Sequence, residues 1–405
     1  MKEGSVRMDS LNQTPRSERL HIAVFGKRNA GKSSLINAIT NQQTALVSDT
    51  PGTTTDPVYK AMEISPIGPC VLIDTAGFDD VGELGQKRVD KTQQVLEAAD
   101  VALVVCTDDA LSHEAGWIAR LREKKVPVVA VINKVDTLSE PERLKEKIRQ
   151  EFDLDAVLVS AKEGTGIDAL KEAIVRLVPE GFDAQSITGH LVSPGDTVLL
   201  VMPQDIQAPK GRLILPQVQT IRDLLDRGCT VVSATLGGMS QALAALSAAP
   251  KLIITDSQVF SEVYEKKPPE SLLTSFSVLF ARYKGDICAF VSGAAAIDHL
   301  QPHDRVLIAE ACTHAPLTED IGREKIPAWL KKKVGESLQV DVVSGSDFPE
   351  NLQPYSLIIH CGACMFNRKY VMSRIEKARR AGVPITNYGV AIAKMKGILD
   401  KIEAW

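Results

Sequence analysis

The sequence lacks the features that mark membrane, secreted and nucleic-acid-binding proteins. No apolar run approaches the roughly 20 residues that span a bilayer, and the polar start MKEGSVRMDSLNQTPRSER lacks the apolar core of a signal peptide. There are 47 basic and 51 acidic residues, so the net charge of −4 leaves no basic excess for phosphate contacts. We therefore expect a cytoplasmic protein with no membrane segment and no nucleic-acid partner.

Cysteine is also scarce, and its count is odd. Seven cysteines in a chain of 405 residues argue against a disulfide framework, and cytosolic thiols stay reduced. Four of them stand singly in apolar surroundings, where we expect them to pack in the core: Cys70, Cys106, Cys229 and Cys288. The other three have polar or histidine neighbours and point to chemistry: Cys312, Cys361 and Cys364.

What the sequence does contain is a repeated alternation of short apolar runs with helical stretches. The runs are rich in Val, Ile and Leu on both faces, as in the buried strands of parallel sheets. No fixed short period recurs, which argues against a solenoid. A Gly-, Pro- and Ser-rich break at 178–196 separates the first set from the second. We expect a polar tail (1–19) and three α/β domains (20–180, 181–285 and 286–405).

The stretch GKRNAGKS follows the strand LHIAVF and opens a helix, which is the context that the phosphate-binding P-loop requires. Its backbone amides would wrap the β-phosphate, and the helix N-terminus would add positive potential. Lys32 would reach the β- and γ-phosphates, and Ser33 would bind Mg²⁺. The residues assigned to this loop are Gly26, Asn29, Ala30, Gly31, Lys32, Ser33 and Ser34.

Three further motifs end later strands, where ligands bind in open α/β sheets. DTAG supplies Asp74, which would hold Mg²⁺ through water, and Gly77, whose amide would sense the γ-phosphate. A carboxylate at the end of NKVD accepts two N–H groups from guanine that adenine does not offer, so the nucleotide is GTP. The base-binding residues are Asn133, Lys134 and Asp136 in NKVD and Ser160, Ala161 and Lys162 in SAK.

These motifs resemble those of the tRNA-modification GTPase and its Era-like relatives, and they predict a P-loop GTPase domain followed by two α/β domains with mainly parallel sheets. By this resemblance PGTTTD (51–56) is the first switch, and its Thr54 joins Mg²⁺. Asn29 would help to bind a K⁺ ion that completes the phosphate clamp. Phe78 stands where many GTPases place a water-orienting Gln, which predicts slow intrinsic hydrolysis. Lys32, Asn29, Thr54 and Gly77 are the predicted catalytic residues.

The second constellation lies near the end of the chain. CTH (312–314) ends the predicted strand RVLIAEA, and HCGAC (360–364) ends the predicted strand SLII. Because ligand sites form at strand ends, the two halves could meet at one sheet edge. Three interpretations are open: a closed Cys₃His zinc site, a redox-active CxxC pair, and an iron–sulfur cluster on three cysteines.

The order of a GTPase, a middle α/β domain and CxH…HCxxC resembles the FeFe-hydrogenase maturation GTPases, the HydF-type scaffold proteins, over essentially the whole chain after its tail. The resemblance implies a 4Fe–4S cluster on Cys312, Cys361 and Cys364, with His314 or His360 as its fourth ligand or as a tuning group. It also implies a homodimer through the middle domain. Such a protein holds a diiron precursor, delivers it to apo FeFe-hydrogenase and works with two radical-SAM enzymes. The alternative is a regulatory GTPase with a structural zinc domain.

Overall fold

The computed structural model describes residues 14–40, 57–75, 92–179, 182, 186–202, 213–311, 320–345, 347–363 and 365–403. The chain divides into two compact units, Met1–Ala184 and Gln185–Trp405. Both units are built of alternating strands and helices, which confirms the predicted α/β class. Over the described residues, no helix is both long enough and apolar enough to cross a membrane.

The first unit contains one six-stranded sheet in the order β2-β3-β1-β4-β5-β6. Its central strands are buried along their length, because helices cover both faces of the sheet. All pairings are parallel except that of β2 with β3. The strands are β1 (Leu20–Gly26), β2 (Val58–Ile64), β3 (Gly68–Asp74), β4 (Val101–Cys106), β5 (Val128–Ile132) and β6 (Ala156–Leu158).

Strand β2 has no counterpart among the predicted strands. It is an antiparallel edge strand whose residues are mostly exposed or half-buried, so it lacks the continuous apolar run that marks its neighbours. The helices of this unit pack apolar residues against the two faces of the sheet. They are α1 (Lys32–Thr40), α2 (described over 92–98), α3 (Ser112–Glu123), α4 (Pro141–Phe152) and α5 (Ile167–Arg176).

The second unit contains two four-stranded sheets in which every pairing is parallel. The first sheet has the order β10-β9-β7-β8, with β7 (Thr197–Val201), β8 (Thr230–Ala234), β9 (Leu252–Thr255) and β10 (Leu272–Ser275). The second has the order β12-β11-β13-β14, with β11 (Arg305–Glu310), β12 (Gln339–Ser344), β13 (Leu357–His360) and β14 (Ile385–Asn387).

Apolar side chains from both sheets of the second unit belong to one continuous core. The strand β10 was not predicted from the sequence, because it continues directly into the helix Phe276–Lys284 and the stretch LLTSFSVLF has no turn residue to separate them. The helices are α6 (Leu215–Asp226), α7 (Met239–Ala244), α8 (Phe260–Lys266), α9 (Phe276–Lys284), α10 (Ile287–Ala294), α11 (Ile326–Val334), α12 (Arg368–Ala381) and α13 (Tyr388–Met395).

One expectation about the isolated cysteines is wrong. Cys70, Cys106 and Cys229 are buried as predicted, but Cys288 is exposed. The helix α10 buries the face that carries Ile287 and Phe290, and Cys288, one position after Ile287, falls outside that face. Apolar neighbours in sequence are therefore not neighbours on the helix surface.

Candidate functional sites

The P-loop connects β1 to α1 at the carboxyl end of the first sheet. Gly31 has φ +83°, and a Cβ there would collide with the side-chain amide of Asn133, so this position requires glycine. The Lys32 ammonium donates to the carbonyl oxygens of Gly26 (2.9 Å) and Lys27 (2.8 Å). It is thereby held across the mouth of the loop, where it can exchange these carbonyls for phosphate oxygens.

Asn133 joins three of the four predicted motifs. It is 1% exposed, and its amide donates to the carbonyl of Ala30 in the P-loop at 2.9 Å. Its Oδ1 accepts from the backbone N–H of Ala161 at 3.1 Å. NKVD, SAK and the P-loop are therefore one hydrogen-bonded assembly, although 103 residues separate Asn133 from Ala30.

The carboxylate of Asp136, which is expected to recognise the base, is held by a hydrogen bond from the SAK motif. Asp136 is exposed, and its Oδ1 accepts a hydrogen bond from Ser160 Oγ at 2.7 Å. This bond lowers the pKa of the Asp136 carboxyl, which keeps it ionised as an acceptor for guanine N–H groups. Lys134 donates to the carbonyl of Asn29 at 2.6 Å, and Lys162 is exposed close enough to Asp136 for its charge to act on that carboxyl.

The predicted magnesium ligands Ser33 and Asp74 are in contact, because Ser33 Oγ donates to Asp74 Oδ2. Burial raises the pKa of the Asp74 carboxyl, and the Ser33 hydrogen bond and the Lys32 charge oppose this rise. A divalent cation would supply positive charge to the phosphates at this point, and these two oxygens are suitable for it. Ser34 follows in the first turn of α1, whereas Thr54 and Gly77 lie outside the described residues.

Sequence reasoning missed one charged group at this site. Lys27, the second residue of the P-loop, lies with its Nζ 2.8 Å from Asp108 Oδ1 and 3.7 Å from Glu114 Oε2. Burial works to lower the pKa of Lys27, but the hydrogen bond to Asp108 and the charge of Glu114 raise it overall. Lys27 is far in sequence from both acidic residues, so no local pattern reveals the contact.

The two halves of the cysteine motif follow neighbouring strands. β11 and β13 pair in parallel with Ala309 opposite His360, so the strands that lead into CTH and HCGAC end at the same sheet edge. The Cys361 sulfur accepts hydrogen bonds from the N–H groups of Ala311 (3.0 Å) and Ala363 (3.4 Å). Ala311 immediately precedes Cys312, whereas Cys312, His314 and Cys364 lie outside the described residues.

The Cys361 sulfur lies in surroundings that favour its thiolate form, which is the form that binds metals. Backbone N–H groups aimed at a cysteine sulfur stabilise its negative charge, and such bonds also tune iron–sulfur clusters. Ala363, between the two cysteines of HCGAC, adopts a left-handed φ of +54°. A non-glycine residue in that region is characteristic of functional turns. Within the described residues, no three His, Cys, Asp or Glu side chains gather as a metal site.

His360 is held on both ring nitrogens. It is 1% exposed, its Nδ1 lies 2.9 Å from the Cys361 carbonyl, and its Nε2 lies 2.9 Å from Nη1 of Arg374. Because the guanidinium only donates, Nε2 is the acceptor and Nδ1 carries the proton. Burial, assisted by the Arg374 charge, lowers the pKa of His360 to about 3. In this arrangement neither ring nitrogen offers a lone pair to a metal, so ligation by His360 would require the Arg374 contact to break.

An ion pair joins described residues on the two sides of 312–319. Glu310 ends β11, and its Oε2 accepts from Arg323 Nη2 at 2.9 Å and Nε at 3.1 Å. Ser344, at the end of β12, donates to the same oxygen at 3.2 Å. The chain on the two sides of 312–319 is thus joined at the sheet edge. Neither Arg323 nor Arg374 was predicted from the sequence.

Family comparisons match three parts of the chain. Residues 187–285 match the Hydrogen maturase F dimerization domain, and residues 288–403 match the Hydrogen maturase F tetramerization domain. Together these matches cover more than half of the chain. Residues 21–134 match the 50S ribosome-binding GTPase family.

The curated relatives match the GTPase portion. The tRNA modification GTPase MnmE of Desulforamulus reducens is 35% identical over 168 residues, which is 40% of this chain and 36% of that protein. GTPase Der of Kosmotoga olearia is 35% identical over 198 residues, 45% of this chain and 44% of its own length. The chain thus spans less than half the length of either relative.

Among solved structures, Era with MgGDPNP and a 16S ribosomal RNA segment is 21% identical, with a TM-score of 0.37. The match covers 53% of this chain and 91% of that one. A second structure, a variant of Aquifex aeolicus Era bound to GDP.AlF4-, is also 21% identical, with a TM-score of 0.36. It covers 56% of this chain and 98% of that one.

Proposed function

Since the chain belongs to the Hydrogen maturase F family, we propose that it is a GTP-hydrolysing scaffold that carries a metal-cluster precursor to apo FeFe-hydrogenase. The observation that carries the proposal is the hydrogen bond from the Ala311 N–H to the Cys361 sulfur, which holds the residue before Cys312 beside Cys361 in a GTPase-containing chain. A regulatory GTPase with a structural zinc domain would use the same cysteines, so the bound metal distinguishes the two functions.

The nucleotide part of the proposal rests on the first unit. Asp136 would accept the guanine N–H groups, and Lys32 would leave its two carbonyl acceptors for the β- and γ-phosphates. Mg²⁺, held by Ser33, Asp74 and Thr54, would neutralise phosphate charge during hydrolysis. Asn29 would contribute to a K⁺ site; its φ of +60° turns the loop at this point. We expect hydrolysis to be slow and faster in KCl than in NaCl.

The carrier part of the proposal rests on the second unit. Cys312, Cys361 and Cys364 would hold a 4Fe–4S cluster, whose fourth iron would provide a place for the diiron cargo. His314 would serve as the exchangeable fourth ligand, since both ring nitrogens of His360 are engaged. Self-association through 187–285 and 288–403 accords with the descriptions of the matched families. The partners would be apo-hydrogenase and two radical-SAM maturation enzymes.

The decisive experiment is purification and reconstitution of the full chain without oxygen. We expect brown protein with four iron and four sulfide per chain, as a 4Fe–4S cluster requires, and activation of apo-hydrogenase once precursor is loaded. Cys361→Ala should lose the cluster, whereas Cys288→Ala, which changes an exposed cysteine, should keep it. Colourless protein with one zinc per chain would overturn the carrier proposal and favour the zinc-containing regulatory GTPase.

A further inference from the structure

Helix α12 buries an arginine in its apolar face. The stripe that packs on the sheet includes Tyr370, Val371, Ile375 and Ala378, and Arg374 falls within it at 2% exposure. A guanidinium has a large desolvation cost, so it persists in such a position only where it is well held. In the sequence, Arg374 stands four residues after Tyr370 and four before Ala378, which is the spacing of residues on one face of a helix and indicates that the arginine is buried with them.

The guanidinium of Arg374 is enclosed by aromatic rings. Its central carbon lies 4.7 Å from the centroid of Phe366, 4.8 Å from that of Phe348 and 5.0 Å from that of Tyr370. These distances are within the range of cation–π attraction. Nη2 donates to the carbonyl of Gly345, which follows β12. The planar fork therefore has little freedom to rotate.

A hydrogen bond to His360 connects Arg374 to the cysteine motif. Arg374 Nη1 donates to His360 Nε2 at 2.9 Å, and His360 Nδ1 donates in turn to the Cys361 carbonyl at 2.9 Å. A guanidinium has donors only, so it selects the tautomer of His360 that carries its proton on Nδ1. That tautomer alone can donate to the Cys361 carbonyl. Arg374 thus acts on the ligand loop through one imidazole.

We propose that Arg374 is a positioning residue of the cluster site: it holds His360 as the Nδ1–H tautomer that orients the Cys361 peptide, and its buried charge stabilises the reduced cluster. This inference rests on the proposed function. A cation enclosed away from water acts strongly on a nearby anionic centre, and an added electron makes an iron–sulfur cluster more negative. Removing the cation should therefore shift the midpoint potential of the cluster to more negative values.

The tautomer is tested on the full chain without iron. Nitrogen-15 spectra of ¹⁵N-histidine-labelled protein would report the His360 ring, assigned by loss of its signals in His360→Gln. We expect the Nδ1–H tautomer in the parent and its loss in Arg374→Met, which has comparable length but no donor. Arg380→Met, an exposed arginine of the same helix, should match the parent. A parent with the Nε2–H tautomer, or an unchanged spectrum in Arg374→Met, would overturn the proposal.

The charge is tested on reconstituted protein by a redox titration followed by electron paramagnetic resonance. We expect a more negative midpoint potential in Arg374→Met, and values near that of the parent in Arg374→Lys and Arg380→Met. An unchanged potential in a fully loaded Arg374→Met chain would refute the charge role. If Arg374→Met does not fold, Arg374→Gln decides: it removes the charge, and its amide oxygen can accept from an Nε2–H, so the potential should become more negative and the preference for Nδ1–H should weaken, whereas values like the parent's would count against both roles. A chain that binds no iron refutes the proposed function. The spectra of the iron-free chain still test whether Arg374 sets the tautomer of His360.

Discussion

The Cys361 sulfur lies 3.0 Å from the backbone nitrogen of Ala311 and accepts its hydrogen bond. The two residues are 50 positions apart in sequence, and Ala311 directly precedes the first cysteine of CTH. The contact exists because β11 and β13 are adjacent parallel strands that end at the same edge. It places the residue before Cys312 beside Cys361, as a cysteine site shared by the two motifs would require.

Guanine recognition is tested by Asp136→Asn. The carboxylate would accept two N–H groups of guanine, and each hydrogen bond to a charged group contributes about 1.5–3 kcal/mol. We expect GTP affinity to fall by about 100-fold or more and xanthosine triphosphate to become the better ligand, since an amide can donate to its additional oxygen. Isothermal titration with both nucleotides would measure this. Asp155→Asn changes an aspartate outside the nucleotide motifs of the same unit and should leave both affinities as they are.

Magnesium binding should depend on pH through Asp74. Burial raises the pKa of this carboxyl, so a larger fraction carries a proton as the pH falls, and that proton competes with the cation. The ordinary pKa of an aspartate is about 3.9, and that of Asp74 is higher. We therefore expect Mg²⁺ to bind the nucleotide complex more weakly at about pH 5.5 than at about pH 7.5. Asp74→Asn should weaken it by about 10–100-fold and reduce this pH dependence to the part that comes from the nucleotide phosphates.

Release of a fluorescent guanine nucleotide during magnesium titration would provide the measurement. The exposed Asp109 supplies the control, because Asp109→Asn removes the same charge without touching Ser33. An Asp74→Asn chain that retains the affinity of the parent and its pH dependence would contradict the assignment of Asp74 to the metal.

The stability of the second unit should depend on Asp223. Its carboxylate accepts four hydrogen bonds, from Ser186 Oγ, Ile187 N, Thr188 N and Thr188 Oγ1, which fasten the start of the unit to α6. We expect Asp223→Ala to lower the free energy of unfolding by about 2–4 kcal/mol, because the buried N–H donors lose their acceptor.

Calorimetry of the full chain would reveal this loss as a lower melting temperature. On the same helix, Asp226 forms an exposed pair with Arg222, and Asp226→Ala should cost less than about 1 kcal/mol. Equal losses in the two variants would show that the contacts of Asp223 contribute no more than a surface charge does.

Glu114 should make the first unit less stable as the pH rises. Burial raises the pKa of this carboxyl, whose Oε2 has no hydrogen-bond partner among the described residues. The folded state then holds the proton more tightly than the unfolded state, so the stability present at low pH is lost as the pH rises through the folded pKa. Glu114→Gln should flatten this dependence and raise the melting temperature at pH 7, whereas the exposed Glu123→Gln should do neither. Calorimetric scans from about pH 5 to about pH 8, a range in which most proteins stay folded, would measure the melting temperature of each variant as a function of pH.

The sequence was sufficient for the strands that are buried on both faces and for the motifs at their ends. An apolar run such as VALVVC identifies a central strand, because burial on both sides favours apolar residues at every position. It was insufficient for β2 and β10. The first is an exposed antiparallel edge strand, and the second continues into α9 without a break, so neither shows the bounded apolar run on which such predictions depend.

The sequence by itself determined the chemistry of this protein: a P-loop with guanine motifs, and cysteines at the ends of two strands. Those signals are local, since glycines, carboxylates and thiols at short spacings follow from what phosphate, guanine and metals require. Only the tertiary structure decided that Asn133 bridges the P-loop and SAK, and that Arg374 occupies the ring nitrogen through which His360 would otherwise bind a metal. Such contacts join residues distant in sequence, and they arise from strand order and helix packing, which no short stretch of the chain encodes.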